Sequence, residues 1–219
     1  MSSVLITGAN RGIGLEMTRL LVERGDSVVA VVRKSSADLE ALGVRIEADV
    51  DMTDDALGGL PERLGDLEID LLIANAGVLA VESLGDLNLD AIRHQLEVNA
   101  LAPLKLTAAL RTRLKSGSKV ALVTSRMGSI TDNDSGAFYG YRMSKAALNM
   151  ACKSLSIDLR PAGVAVCVLH PGWVRTEMTR GSGNIEPIEA ARGLLARMDE
   201  LTLESSGGFW HAEGQPLPW

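Results

Sequence analysis

Tyr141 and Lys145 stand four residues apart in the stretch Tyr141-Arg142-Met143-Ser144-Lys145. On a helix that spacing puts both on one face, a turn apart. A free phenol has a pKa of about 10 and is a poor acid or base at neutral pH. An ammonium beside it favours the phenolate and brings it toward useful proton transfer. Tyr139, the other tyrosine, has Met143 at the corresponding position and lacks such a partner. The bare pair also fits an ordinary surface helix, so its meaning depends on what else the fold brings to it.

A second set of residues is fitted to an anion. Thr7-Gly8-Ala9-Asn10-Arg11-Gly12-Ile13-Gly14 follows a short apolar run and leads at once into a helical pattern. Glycines there allow a tight turn, a close approach of backbone N–H groups to a pyrophosphate, and close packing of helix on strand. The helix start adds free donors and the positive end of its dipole. The spacing Gly-x-x-x-Gly-x-Gly departs from the commonest dinucleotide fingerprint, and a plain strand-to-helix turn would look alike. Its place after the first strand favours a dinucleotide. The next strand ends in Val32-Arg33-Lys34-Ser35-Ser36, with no acid before Asp38. An NAD site would carry a carboxylate about 20 residues past the glycines. Two cations and two hydroxyls, with Arg11 adding charge from the loop, suit a 2′-phosphate instead. The cofactor expected is therefore NADP, with NAD possible.

These residues need elements to hold them. Val-, Leu- and Ile-rich runs at 4–6, 27–32, 44–46, 70–74, 119–124 and 163–169 alternate with helical patterns at 12–23, 53–64, 90–115, 142–159 and 187–200. Strands that are apolar almost throughout are covered on both faces. The pattern predicts an α/β fold, a doubly wound parallel sheet of the Rossmann kind in three layers, as one domain over residues 1–219. The crossover at 35–42 is thin for a helix. The Gly- and Pro-rich tail, 205–219, holds Phe209, Trp210 and Trp219, so it is expected to dock.

Composition narrows the function classes. The 219 residues carry a net charge of −6, which argues against nucleic acid as a partner. No apolar run approaches the roughly 20 residues of a membrane span. Residues 1–6 lack the length and basic flank of a signal peptide. Cys152 and Cys167 have neither metal nor redox spacing and read as reduced, buried thiols of a cytoplasmic protein. His94, His170 and His211 have no metal-ligand spacing, so no metal is expected. His94 reads as a surface or packing residue away from the motifs, and His170 as structural.

Taken together, the motifs resemble the short-chain dehydrogenase/reductase family in its small, single-domain form. The glycine loop fits the cofactor motif of that family. Asp49-Val50 resembles its adenine-contacting pair, and Asn75-Ala76-Gly77 its Asn-Ala-Gly motif. Asn99, Ser125, Tyr141 and Lys145 fall where the family has its catalytic tetrad. Pro171-Gly172-Trp173-Val174-Arg175-Thr176 resembles the segment facing nicotinamide. Asn10-Arg11, the spacing of Ser125 from Tyr141 and the ending Gly214-Gln215-Pro216-Leu217-Pro218-Trp219 look closest to the C-factor and sniffer-type carbonyl reductases. Arg126 departs from the small residue common after the serine.

The resemblance implies hydride transfer between NADP(H) and a carbonyl or alcohol. Ser125 would hold the carbonyl oxygen and Tyr141 would give or take the proton. Lys145 would lower the tyrosine pKa and bind the ribose hydroxyls. Asn99 would orient a water leading from Lys145. Pro171, Val174 and Thr176 would meet the nicotinamide, Val174 and Thr176 at its carboxamide. The other reading is a dinucleotide-binding signalling protein of the C-factor type; an epimerase or dehydratase is weaker, since those usually have a larger C-terminal part. Relatives commonly pair through two long helices, which implies a homodimer or tetramer. The short segment 177–184 and the apolar Trp173, Met127 and Ile130 favour a small-molecule carbonyl with an apolar body.

Overall fold

The computed structural model describes residues 1–54 and 57–219. Seven strands form one parallel sheet: β1 (Ser3–Thr7), β2 (Ser27–Val31), β3 (Arg45–Glu47), β4 (Ile69–Ala74), β5 (Leu114–Val123), β6 (Ala165–His170) and β7 (Gly208–His211). Their order is β3-β2-β1-β4-β5-β6-β7. The chain winds outward in one direction from β1 and then in the other from β4. The crossovers therefore diverge between those two strands and leave a crevice at their carboxyl ends. This is the doubly wound α/β fold expected from the strand–helix alternation.

The strands are apolar on both faces because both are covered. Leu5 of β1 and Val166 and Val168 of β6 belong to one core layer; Val4, Ile6, Cys167 and Leu169 belong to the other. Helices α1 (Gly12–Glu23) and α7 (Pro187–Glu200) pack on the second layer, and α5 (Ala102–Leu110) and α6 (Tyr139–Asp158) on the first. The thin crossover contains only α2 (Ala37–Glu40), and the expected helix at 53–64 reduces to a short turn and α3 (Leu60–Arg63) among the described residues, with 55 and 56 outside them. The tail docks as β7, pairing with β6, and Phe209 is buried under the ring of Trp219.

The pattern at 90–115 is not one helix. It divides into α4 (Leu89–Leu96), a wide π turn (Glu97–Leu101) and α5. Pro103 has no N–H for the carbonyl of residue 99, so the ladder loosens there. At the far end Leu114 belongs to β5, where it pairs with Ile69 across a register irregularity and is buried. An apolar residue at helical spacing was thus serving the sheet.

Candidate active site

A cavity of about 250 Å³ opens at the crevice between β1 and β4. Gly8, Asn10, Arg11, Gly12, Ile13 and Gly14 form one wall. Gly8 has φ +68°, and a Cβ on it would stand 2.9 Å from the Ala76 Cα. A Cβ on Gly14 would stand 2.2 Å from the Gly8 carbonyl oxygen. The loop is therefore wound against its own backbone, which leaves its surface and the start of α1 turned to the cavity. Asn75 fixes it: Nδ2 donates to the carbonyls of Thr7 and Gly8, each at 3.1 Å. The Thr7 hydroxyl in turn accepts from the backbone N–H of Asn75 and of Ala76. Asn75, Ala76 and Gly77 all line the cavity.

Arg33 and Val50 also line it. Asp49 stands exposed off the wall, and Asp51 takes the lining position. Asp49 has φ +60°, and this left-handed turn breaks the extended run leading from β3. The Ser36 hydroxyl is spent on structure: it donates to the Asn10 carbonyl and accepts from the Leu39 N–H as the cap of α2. His94 also needs correction, because it lines the cavity rather than standing away from it. It lies one helical turn before Val98, which α4 and the π turn carry to the same wall. Across the mouth, Thr176, Glu177 and Met178 close the other side, and Arg11 forms an ion pair with Glu177.

Behind Gly77 stand Lys145 and Asn99, with Tyr141 and Ser125 beyond them. A Cβ at Gly77 would stand 3.7 Å from Lys145 Nζ and 3.2 Å from Asn99 Oδ1, so the absent side chain joins the cluster to the cavity. Lys145 Nζ is 5.8 Å from the centre of the Tyr141 ring, and both residues are buried. Ser125, two residues past the end of β5, stands beside the Tyr141 side chain. Its own loop is held down from α6: Asn149 accepts from the Thr124 hydroxyl at 2.7 Å and donates to the Gly128 carbonyl. Gly128 permits that approach, since a Cβ would come 2.7 Å from Lys145 backbone.

The electrostatics differ from the expectation. Burial pushes the Tyr141 phenol up to about 12, against a smaller lowering effect of Ser125. Burial brings the ammonium itself to about 8, and Nζ donates to the Val123 carbonyl at 2.8 Å. Both shifts have the same physical cause, since burial disfavours the charged form of each group.

Asn99 sits fully buried on the π turn. Its Oδ1 accepts from the Val78 N–H, and its Nδ2 donates to the Val78 carbonyl, both at 2.8 Å. Nδ2 also reaches the Ser144 hydroxyl at 3.0 Å, which donates to the Tyr141 carbonyl. Asn99 thus ties the chain beyond Gly77 to the first turns of α6. Pro171 and Val174 do not line the cavity; Val174 is buried and its carbonyl accepts from Thr179. Thr176 alone of that segment's three expected contacts is on the wall. His170 packs edge-on against His211, and burial, with His211 and Arg126 beside it, brings it down to about 3. It is neutral at physiological pH.

Both cysteines are free and buried. Among the described residues no His, Cys, Asp or Glu cluster could hold a metal, and no helix is long and apolar enough to cross a membrane.

Comparison with known proteins agrees with this geometry. The short chain dehydrogenase family matches residues 2–186. The 1-hydroxy-2-glutathionyl-2-methyl-3-butene dehydrogenase of Rhodococcus sp. (strain AD45) is 42% identical over the full length of both chains. The C-signal protein of Myxococcus xanthus is 45% identical over 69% of this chain and 93% of its own. A carbonyl reductase from Pseudomonas aeruginosa PAO1, solved in complex with NADP, superposes with a TM-score of 0.88 at 35% identity, covering 100% of each chain. The chain belongs to the short-chain dehydrogenase family.

Proposed function

We propose that this chain, acting as one domain, transfers hydride between NADP(H) and a carbonyl or alcohol. The observation that carries the reading is the meeting of Ser125, Tyr141 and Lys145 behind Gly77, at the wall of the glycine-loop cavity. The cavity suits a phosphorylated dinucleotide. Gly8 and Gly14 have no room for side chains, α1 points its N-terminus at the cavity, and Arg33 brings positive charge. The NADP complex of the Pseudomonas reductase supports the same choice.

In this reading residues 8 and 10–14 hold the pyrophosphate and Arg33 the 2′-phosphate. Val50 and Asp51 flank the adenine, Asn75, Ala76 and Gly77 the adjoining ribose, and Thr176 the nicotinamide end. The bound cofactor supplies or accepts the hydride. Ser125 holds the substrate oxygen. Tyr141, protonated at neutral pH because its pKa is about 12, is ready to donate to that oxygen as negative charge develops there. Lys145 keeps positive charge beside the phenol and the ribose. Asn99 acts through Ser144 and Val78 as a positioning residue.

The substrate is a small carbonyl with an apolar body, met by the exposed Trp173, Ile130 and Met178. Exposed Leu101, Leu104, Met150 and Ile157 on the two long helical segments support a homodimer. The free thiols support a cytoplasmic location.

Oxidation of NADPH with a panel of ketones, aldehydes and quinones tests the reading. Tyr141→Phe is expected to lower turnover by about a hundred-fold or more while NADPH still binds. A wild type that binds NADPH and reduces nothing in the panel would favour a signalling role instead, the reading to which the C-signal similarity points.

A further inference from the structure

Glu82 is a buried carboxylate that no step above uses. It lies between β4 and α4 with 2% exposure. One carboxylate oxygen accepts from Gln95 Nε2 at 2.5 Å, and the other from the Gly140 backbone N–H at 3.3 Å. Its main-chain carbonyl accepts from the Phe138 N–H at 2.8 Å. One residue therefore holds the start of α6 at two points. That start needs holding. Ala137 and Phe138 have φ of 50° and 52°, left-handed values that side chains disfavour. Phe138, the cap residue, supplies no side-chain hydrogen bond. A carboxylate on a first-turn N–H replaces the missing cap, at the helix end where negative charge is favoured.

The residue after Gly140 is Tyr141. We propose that Glu82 is a positioning residue for Tyr141, fixing the first turn of α6 and with it the reach of the phenol toward Ser125 and the substrate oxygen. The inference rests on reading Tyr141 as the proton donor. Gln95 completes the device, since its Oε1 accepts from the Ala80 N–H at 2.9 Å while its Nε2 holds Glu82. Gly140 leaves the space: a Cβ there would come 2.4 Å from Gln95 Nε2 and 3.0 Å from Ile92 Cα.

Single-turnover reduction rate, NADPH affinity and melting temperature of the full chain test the proposal. Glu82→Gln sets one amide against another. It is expected to slow the single turnover about ten-fold or more, with NADPH affinity within about two-fold of wild type, because reacting groups tolerate little misplacement. The exchange Glu82→Gln with Gln95→Glu restores an acid–amide pair and should recover most of the rate. A lower melting temperature with an unchanged single-turnover rate in Glu82→Gln would make the residue merely structural and overturn the proposal. Should Glu82→Gln fail to fold, Gly140→Ala forces the same pair apart, and an unchanged rate there overturns it equally. Tyr141→Phe separates the two readings. If that variant keeps full turnover, the catalytic reading falls; if it is inert while Glu82→Gln is fully active, only the positioning role falls.

Discussion

Replacing Lys145 with methionine should make the unliganded protein more stable at neutral pH while destroying its turnover. The ammonium is 4% exposed, and burial lowers its pKa from 10.5 to about 8. Between those values the unfolded chain binds a proton that the folded chain does not, so wild-type stability rises with pH across this window. Below pH 8 the folded protein bears the whole burden, about 3 kcal/mol at about 1.4 kcal/mol per pH unit. Methionine removes that burden but leaves the Val123 carbonyl without its donor, a loss of about 1–2 kcal/mol. The net gain is about 1–2 kcal/mol, or about 2–8 °C in melting temperature for a chain of this size. Thermal unfolding of both proteins, compared at pH about 7 and about 9.5, reads the effect, and the gap should close by about 2 kcal/mol at the higher pH. Taking the difference between the two proteins removes the titration of every other group. A variant less stable than wild type at both pH values, with a gap that does not move, would refute the reasoning.

Two further outcomes follow from the cavity. Arg33→Asp should weaken NADPH relative to NADH by about ten-fold or more, because it replaces a cation on the wall with an anion; the ratio of kcat/KM for the two cofactors measures it. Gly14→Ala drives a methyl into the Gly8 carbonyl at 2.2 Å, so the loop must shift, and fluorescence titration should find NADPH affinity reduced about a hundred-fold in a protein that still folds.

The elements legible in the sequence were those whose signals are local. Helix α1 runs over Gly12–Glu23 and α7 over Pro187–Glu200, both as the pattern predicts. The second is marked by a proline at its first position and by Glu186 and Glu189 closing a capping box. The core strands read clearly because burial on both faces leaves almost no polar residue in them. The start of α6 did not read. It lies at Tyr139, before the expected 142, and is entered through two left-handed residues with no cap signal in their types. The pKa values of Tyr141 and Lys145 were illegible for a different reason. Spacing puts the two on one face, but burial decides the sign of each shift, and burial depends on what Gly77, Gly128 and the β5 loop bring around them.

The same distinction explains how the site is held. The loops after β1, β4 and β5 are anchored by side-chain amides from elsewhere in the chain; Gln95, Asn99 and Asn149 are buried and Asn75 is half-buried. Asn75 ties the glycine loop to β4 across 67 positions, and Asn99 ties the chain beyond Gly77 to the π turn across 21. Gln95 holds Glu82 from α4, and Asn149 holds the Ser125 loop from α6. A hydrophobic period reports which face of an element meets the core, and it is silent about an amide whose partners lie on another element. A buried amide must satisfy both its donor and its acceptor inside the protein, so it fixes the loop it bonds in position and direction. Apolar packing supplies the sheet and its crevice, while these four amides fix how the loops at its edge meet. The catalytic geometry is therefore expected to be more sensitive to the amides than to volume-conserving changes in the aliphatic core.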